Sequence, residues 1–485
     1  MSKKIGGVVA LTGLCALSLF LLNCGSSSSR PTGVLYVLAQ GNGGVGNNVS
    51  TFAIDLNSGN LSLVNSNAST CPTASTQNNP EPCGLPLDIL LDPTGATAFV
   101  LDQGAPACPA CGPGSNSAIE PAIYPYTVGS DGSLSAPGTA VNWTTYPDTA
   151  VAMTRDAAGQ FLFVINHGSY PSPTTCPAIA IAASSAAAAA AYAGCPSISV
   201  FAMPKPPSTA LTFVSQSSTN QSPLFLSKTP SALSPITFTP GTPAGAPSQE
   251  LLLVTSNYDL CAVGCVPSST PNDNAVSVYS VSPTGVLTEQ PNSPYAVAAV
   301  NPISVLAVAT SPVGQPAVGG LFVYVGNEDA SGGHLYPFQV CTLVGSAGCT
   351  QQQVSDNLMF PLTTCPQISC NVPPSSAGQT PVAMVVDPTN QFLYAVAQGT
   401  SQVFGFKIST TAGTLTAVTP ANLPTGLQPA ALALHPSVNN TGQFLFTSNS
   451  GSSSVSGFSL SATSGAMFSL PPVVTPSGPS GIAAR

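Results

Sequence analysis

The amino-acid sequence predicts an all-β fold, a seven-bladed β-propeller of four-stranded antiparallel blades closed by a C-terminal strand that joins the N-terminal blade. Three observations lead there. One phrase recurs seven times: a Pro, an apolar run, a Pro/Gly turn, a second apolar run ending near an Asn or Gln, an alternating strand, and a Gly hairpin. Repeats of this length mark solenoids, arrays or propellers. The apolar runs are short and rich in Val, Leu, Phe and Tyr, and the 44 glycines and 49 prolines bound them, as turns between short strands require. Residues 481–485 read as the first strand of a unit whose turn and second strand are residues 30–37. A sheet completed by both ends of the chain leaves no open edge, which separates a ring from an open array.

First strands are expected to begin near Pro86, Pro147, Pro230, Pro302, Pro381, Pro429 and Pro479. The last two intervals, 48 and 50 residues, are close to a bare four-stranded unit, whereas earlier ones run from 61 to 83 and carry insertions. Second strands are residues 34–37, 98–101, 161–164, 251–254, 321–325, 392–395 and 444–447. Third strands alternate apolar and polar, as in residues 275–281, and turn back through Gly hairpins such as residues 57–60. A short helix is an option for the Ala-rich stretch 179–194.

Residues 1–24 read as a targeting segment, with Lys3 and Lys4 ahead of an apolar stretch, residues 8–22. Leu21, Leu22, Asn23 and Cys24 resemble a bacterial lipoprotein cleavage box, with Cys24 as the lipidated residue; an ordinary cleaved export signal is the alternative. Residues 25–30 form a Ser-rich flexible tether, and residues 31–485 form the propeller. Both readings place the protein outside the cytoplasm, on a bacterial membrane or free in the periplasm or medium. Beyond residue 22 no apolar run approaches the ~20 residues that span a bilayer.

Cysteine usage agrees with export. Besides Cys15 and Cys24, twelve cysteines fall into neighbouring pairs: Cys71/Cys83, Cys108/Cys111, Cys176/Cys195, Cys261/Cys265, Cys341/Cys349 and Cys365/Cys370. Close pairs in an exported chain read as local disulfides, although the connectivity stays open. Cys108 and Cys111 have redox-motif spacing, but they sit in a Pro/Gly loop rather than at a helix N-terminus, so the structural reading is preferred. Five of the six pairs map to the loops on one face of the ring. Elaborated loops on a rigid frame are where function concentrates, so that face is the expected working surface.

Charge excludes one class. Only 5% of residues are charged and the formal net charge is −9, so no basic footprint for nucleic acid exists. The chain is expected to act as a monomer.

The segments Phe322-Val-Tyr-Val-Gly-Asn327, Phe161-Leu-Phe-Val-Ile-Asn166, Asp387-Pro-Thr-Asn390 and Val276-Ser-Val-Tyr279 resemble the seven-bladed propellers of the lactonase-like, YVTN-repeat family. The resemblance spans about residues 30–485. It implies the fold strongly and an activity weakly, because propellers host unrelated functions. Opening a lactone requires a general acid or base and a cation for the carboxylate or developing oxyanion. His167, Glu328 and His334 are candidates for the first role. For the second, the arginines beyond the tether are Arg155 and Arg485, and both map to the opposite face.

The remaining polar groups expected on the working face are Asp102, Asn166, Asn257, Tyr258, Asp259, Asn327 and Asp329. The Asn or Gln recurring after each second strand reads as turn chemistry satisfying loop backbone. Histidines lack zinc-ligand spacing, so no metal or cofactor is assigned; calcium is the cation that acids such as Glu328, Asp329, Asp259 and Asp102 would suit. The favoured expectation is an envelope binding or interaction module with an extracytoplasmic ligand. A lactone hydrolase and a structural or adhesion protein are the alternatives.

Overall fold

In the computed structural model the chain forms seven antiparallel sheets, each one blade. The structure describes residues 32–40, 48–69, 85–103, 121–142, 150–167, most of 180–239, 248–256, 274–297, 301–310, 320–342 without 330 and 331, 350, 357–361, 375–435 and 443–485. The first blade runs Pro479–Ala484, Thr32–Ala39, Asn48–Asp55 and Leu61–Ser69. Blades two to seven begin with Pro86–Leu91, Ala150–Arg155, Pro230–Phe238, Pro302–Ala309, Pro381–Val386 and Pro429–His435. Neighbouring first strands touch all the way round, with Pro479–Ala484 set between Pro429–His435 and Pro86–Leu91, so they line the axis.

Closure follows the predicted split. Leu35, Tyr36 and Val37 pair with Ala484, Ala483 and Ile482. The backbones of Val34 and Arg485 exchange hydrogen bonds of 2.9 and 3.2 Å. One boundary differs: the third blade starts at Ala150, and Pro147 lies outside the described residues. That blade also gains one short strand, Ile181–Ala182, from its insertion, and it pairs with Leu224–Phe225, the second part of a split outer strand. Most of stretch 179–194 lies outside the described residues.

The core is distributed. Seven apolar clusters fill the seven junctions between adjacent blades, and the last joins Phe444 and Phe446 of blade seven to Leu35, Val37 and Ile482 of blade one. Second strands such as Thr97–Asp102 and Phe392–Ala397 are buried along their whole length, because successive side chains enter the junctions on either side. This is why they read as continuous apolar runs rather than alternating ones.

Repeated residues carry the junction geometry. Asp387 begins a turn and its Oδ1 accepts the N–H groups of Gln391 and Phe392, both at 2.7 Å. Asp156 does the same for Gln160 and Phe161. Tyr36, Tyr324 and Tyr394 donate their hydroxyls to the carbonyls of Gly132, Gly413 and Gly465, each in the hairpin of the next blade, at 2.8, 2.9 and 3.1 Å. Each Tyr thus buries its ring in one junction and satisfies its hydroxyl across it.

Candidate functional site

All seven pairings of a first with a second strand break register at one place, just inside the start of the first strand. A β-bulge there adds a residue and re-aims the chain. The extra residues fall at Leu87, Val151, Ser231, Ile303, Val382, Ala430 and, within the wider seventh shift, Ser480. All seven are half-buried, whereas the residue before each, Pro in six blades and Ala150 in one, is buried. They form an uncharged ring at the axial mouth, on the face of the loops between second and third strands. The sequence hid it, because the bulged positions share no residue type.

Serine ties this mouth together. Ser231 Oγ donates to the Pro302 carbonyl (2.7 Å), Ser304 Oγ to Pro381 (2.6 Å) and Ser480 Oγ to Pro86 (2.9 Å), each acceptor belonging to the next blade. Gln40 Nε2 also reaches the Pro86 carbonyl, at 3.1 Å. The approach to the first strands is tight: Asn301, Thr380 and Gln428, each immediately before the Pro, have φ of 56°, 56° and 51°. For the β-branched Thr380 this is an outlying conformation.

The innermost strands carry three ionisable side chains, Asp88, Arg155 and His435. Asp88 was not singled out from the sequence; its one signal is being the sole acid within a first strand. Its carboxylate accepts the N–H of Ile89 at 2.8 Å and that of Met153, on the next blade, at 3.4 Å. Burial pushes its carboxyl up to about 6 against the stabilising pull of those two bonds. Arg155 donates from Nε to the Leu91 carbonyl (2.7 Å), at the far end of the same strand pair. His435 bonds the Arg485 backbone, also at that far end.

The predicted site residues do not converge. His167 follows the second strand of blade three and bonds the Pro230 carbonyl of blade four. Its Nε2 is buried without a hydrogen-bond partner, and burial lowers the imidazole to about 4, so the ring is neutral at physiological pH. Glu328 lies two blades further on, where its Oε2 accepts the Thr380 hydroxyl at 2.6 Å. His334 stands opposite Asn327 in a tight hairpin that pairs Asp329 with Gly332, and its ring meets Tyr336 edge-on. Asp102 is buried at the end of its strand rather than presented at the mouth. Asn257, Tyr258 and Asp259 lie outside the described residues. Among the described residues, no three His, Cys, Asp or Glu side chains form a metal-holding group.

Gln40 keeps the backbone-satisfying role expected of the recurring amide, but Asn166 and Asn449 work differently. Asn166 Nδ2 donates to Ser197 Oγ and Ser199 Oγ at 3.1 and 3.3 Å, inside the blade rather than to a loop. Asn449 repeats this with Ser454 and Ser456 at 3.2 and 3.1 Å. The Oδ1 of both is buried without a protein partner. A Ser-x-Ser opening the third strand was the signal available in the sequence.

Of the paired cysteines, Cys195 and Cys341 fall within the described residues, and both are buried and disulfide-bonded. Cys24, Cys71, Cys83, Cys108, Cys111, Cys176, Cys261, Cys265, Cys349, Cys365 and Cys370 lie outside the described residues. The stretch holding Cys365 and Cys370 joins Met359–Pro361 to Ser375–Ser376, which both pair with the third strand of blade five. In sequence it separates the two parts of one outer strand instead of linking two blades, so this pair does not belong to a blade-to-blade connection.

Residues 370–482 match the family model described as lactonase, 7-bladed beta-propeller. The fold is that of the lactonase-type seven-bladed propellers. Solved structures of the same shape include a candidate 6-phosphogluconolactonase from Bacteroides fragilis, with 14% identity, TM-score 0.55, and coverage of 95% of this chain and 99% of that one. The periplasmic gluconolactonase of Pseudomonas aeruginosa is similar at 15% identity and TM-score 0.53, over 94% and 99% of the two chains. A Lactobacillus plantarum protein follows at 13% identity and TM-score 0.54, over 94% and 100%. No curated protein matches the sequence. At these identities the likeness establishes the lactonase-type frame and leaves its chemistry to the residues.

Proposed function

We propose that the protein is an exported propeller, lipid-anchored at Cys24, that binds a small, weakly charged ligand at its axial mouth as an envelope binding module. The uncharged ring of bulged residues carries this reading. A mouth lined by Leu87, Val151, Ile303, Val382 and Ala430 with two serines offers apolar contact and hydroxyls, which suits a neutral compound. Asp88, poised near 6, is the one acid among the described residues of the seven first strands. Catalysis would need an acid or base beside a cation. Here His167 and Glu328 are held two blades apart, and the described arginines lie at the far end of the channel.

A lactone hydrolase is the second reading. It is favoured by the unpartnered Nε2 of a neutral His167, an acceptor free to take a proton from attacking water. A lactone and neutral-sugar panel decides between the two, read for turnover and for thermal stabilisation of the protein. Stabilisation without turnover, lost in Val382→Arg, is the expected result. Turnover abolished by His167→Ala would replace binding with hydrolysis.

A further inference from the structure

Thr32 opens the second strand of blade one at the end of the ring opposite the mouth, where it pairs with Asp55. The same end holds the hairpin after Asn48–Asp55 and the first residues of Leu61–Ser69, with Leu63 opposite Phe52 and Phe52 opposite Leu35. On blade seven, Phe468 stands level with Ser459, Phe444 and His435. The two ends meet: a Cβ on Gly33 would lie 2.4 Å from His435 Nε2, and one on Gly59 would strike the Phe444 ring. Leu63, Val64 and Phe468 are 58%, 45% and 59% exposed there, on the outer strands of adjoining blades.

From these positions we infer that the rim of blades one and seven rests on the surface of the lipid bilayer, with the axial mouth facing away. The inference rests on the lipid anchor proposed above. Residues 25–31 separate Cys24 from Thr32, and seven residues span at most about 25 Å. The end of the ring where Thr32 emerges is therefore held within that reach of the acyl chains. Leu427 and Val474 are exposed at the opposite end, so exposure alone does not choose a side. The tether does. Apolar side chains at a membrane interface add to the hold of an acyl anchor.

The test uses the full chain in phosphatidylethanolamine/phosphatidylglycerol vesicles with brominated acyl chains. Phe468→Trp and Leu427→Trp are compared, each with Trp143→Phe, since the chain has one tryptophan. The expected result is a blue shift and quenched emission for Phe468→Trp and neither for Leu427→Trp. Vesicle-bound, lipidated chain with neither tryptophan quenched would overturn the docking while leaving the anchor intact. Quenching of Leu427→Trp alone would overturn it by reversing the orientation. An unmodified Cys24 and no vesicle association would reject anchor and docking together.

Discussion

Glu250 shows how burial without a partner makes one residue sensitive to pH. Its Oε1 is buried without a hydrogen bond, Asp156 is nearby, and burial raises its carboxyl from 4.5 to about 7. The neutral form is therefore preferred in the folded state. Stability from this group is full below pH 4.5 and is lost as pH rises through 7. Glu250→Gln is expected to raise the thermal midpoint at pH 8 and leave it unchanged at pH 4, as scanning calorimetry at both values would read. His167 works in the opposite sense. Its folded value, about 4, lies below the ordinary 6.5, so stability is full above 6.5 and falls away toward pH 4. His167→Gln should flatten that acid limb of a denaturation profile; an unchanged limb would remove the buried imidazole as its cause. Neither environment was legible in the sequence, because both depend on which blade lies alongside.

Hairpins between third and fourth strands are the elements that lock one blade to the one before. Gly465 adopts φ of 70°, and a Cβ there would lie 2.3 Å from the Phe392 ring of the preceding blade. Gly465→Ala is expected to cost about 2–4 kcal/mol, from left-handed backbone strain together with overpacking. Tyr394→Phe removes the hydroxyl bond to the Gly465 carbonyl and should cost only about 1 kcal/mol. Urea unfolding midpoints of the two variants give the comparison, and equal losses would mean that the ring contact is not what demands glycine. These hairpins were readable because their Gly recurs at a fixed offset. The bulges were not, since Leu87, Ser231 and Ala430 occupy one backbone role with three chemistries. The outer strand split by the Cys365/Cys370 stretch was not readable either, because strands of three and two residues leave too short an apolar pattern to recognise.

At the scale of the whole molecule, repetition made blade number and closure legible, and the same repetition conceals a site, because binding groups are departures from the repeat. Asp88 is such a departure. Removing residues 479–485 strips blade one of its axial strand and exposes the Leu35 and Val37 edge to solvent. The truncated chain is expected to self-associate through that edge, read as a rise in light scattering at constant concentration. A monodisperse monomer would show that the N-terminal blade holds without its last strand. The seven separate cores have a kinetic consequence as well. A terminal unit of a linear array can peel away by breaking one contact surface, but a blade in a closed ring must break two at once. Partial unfolding is thereby suppressed, and proteases that need a locally opened segment must wait for nearly the whole ring to give way. Whatever surrounds the protein, the circle itself protects each blade, because none can fray without its two neighbours.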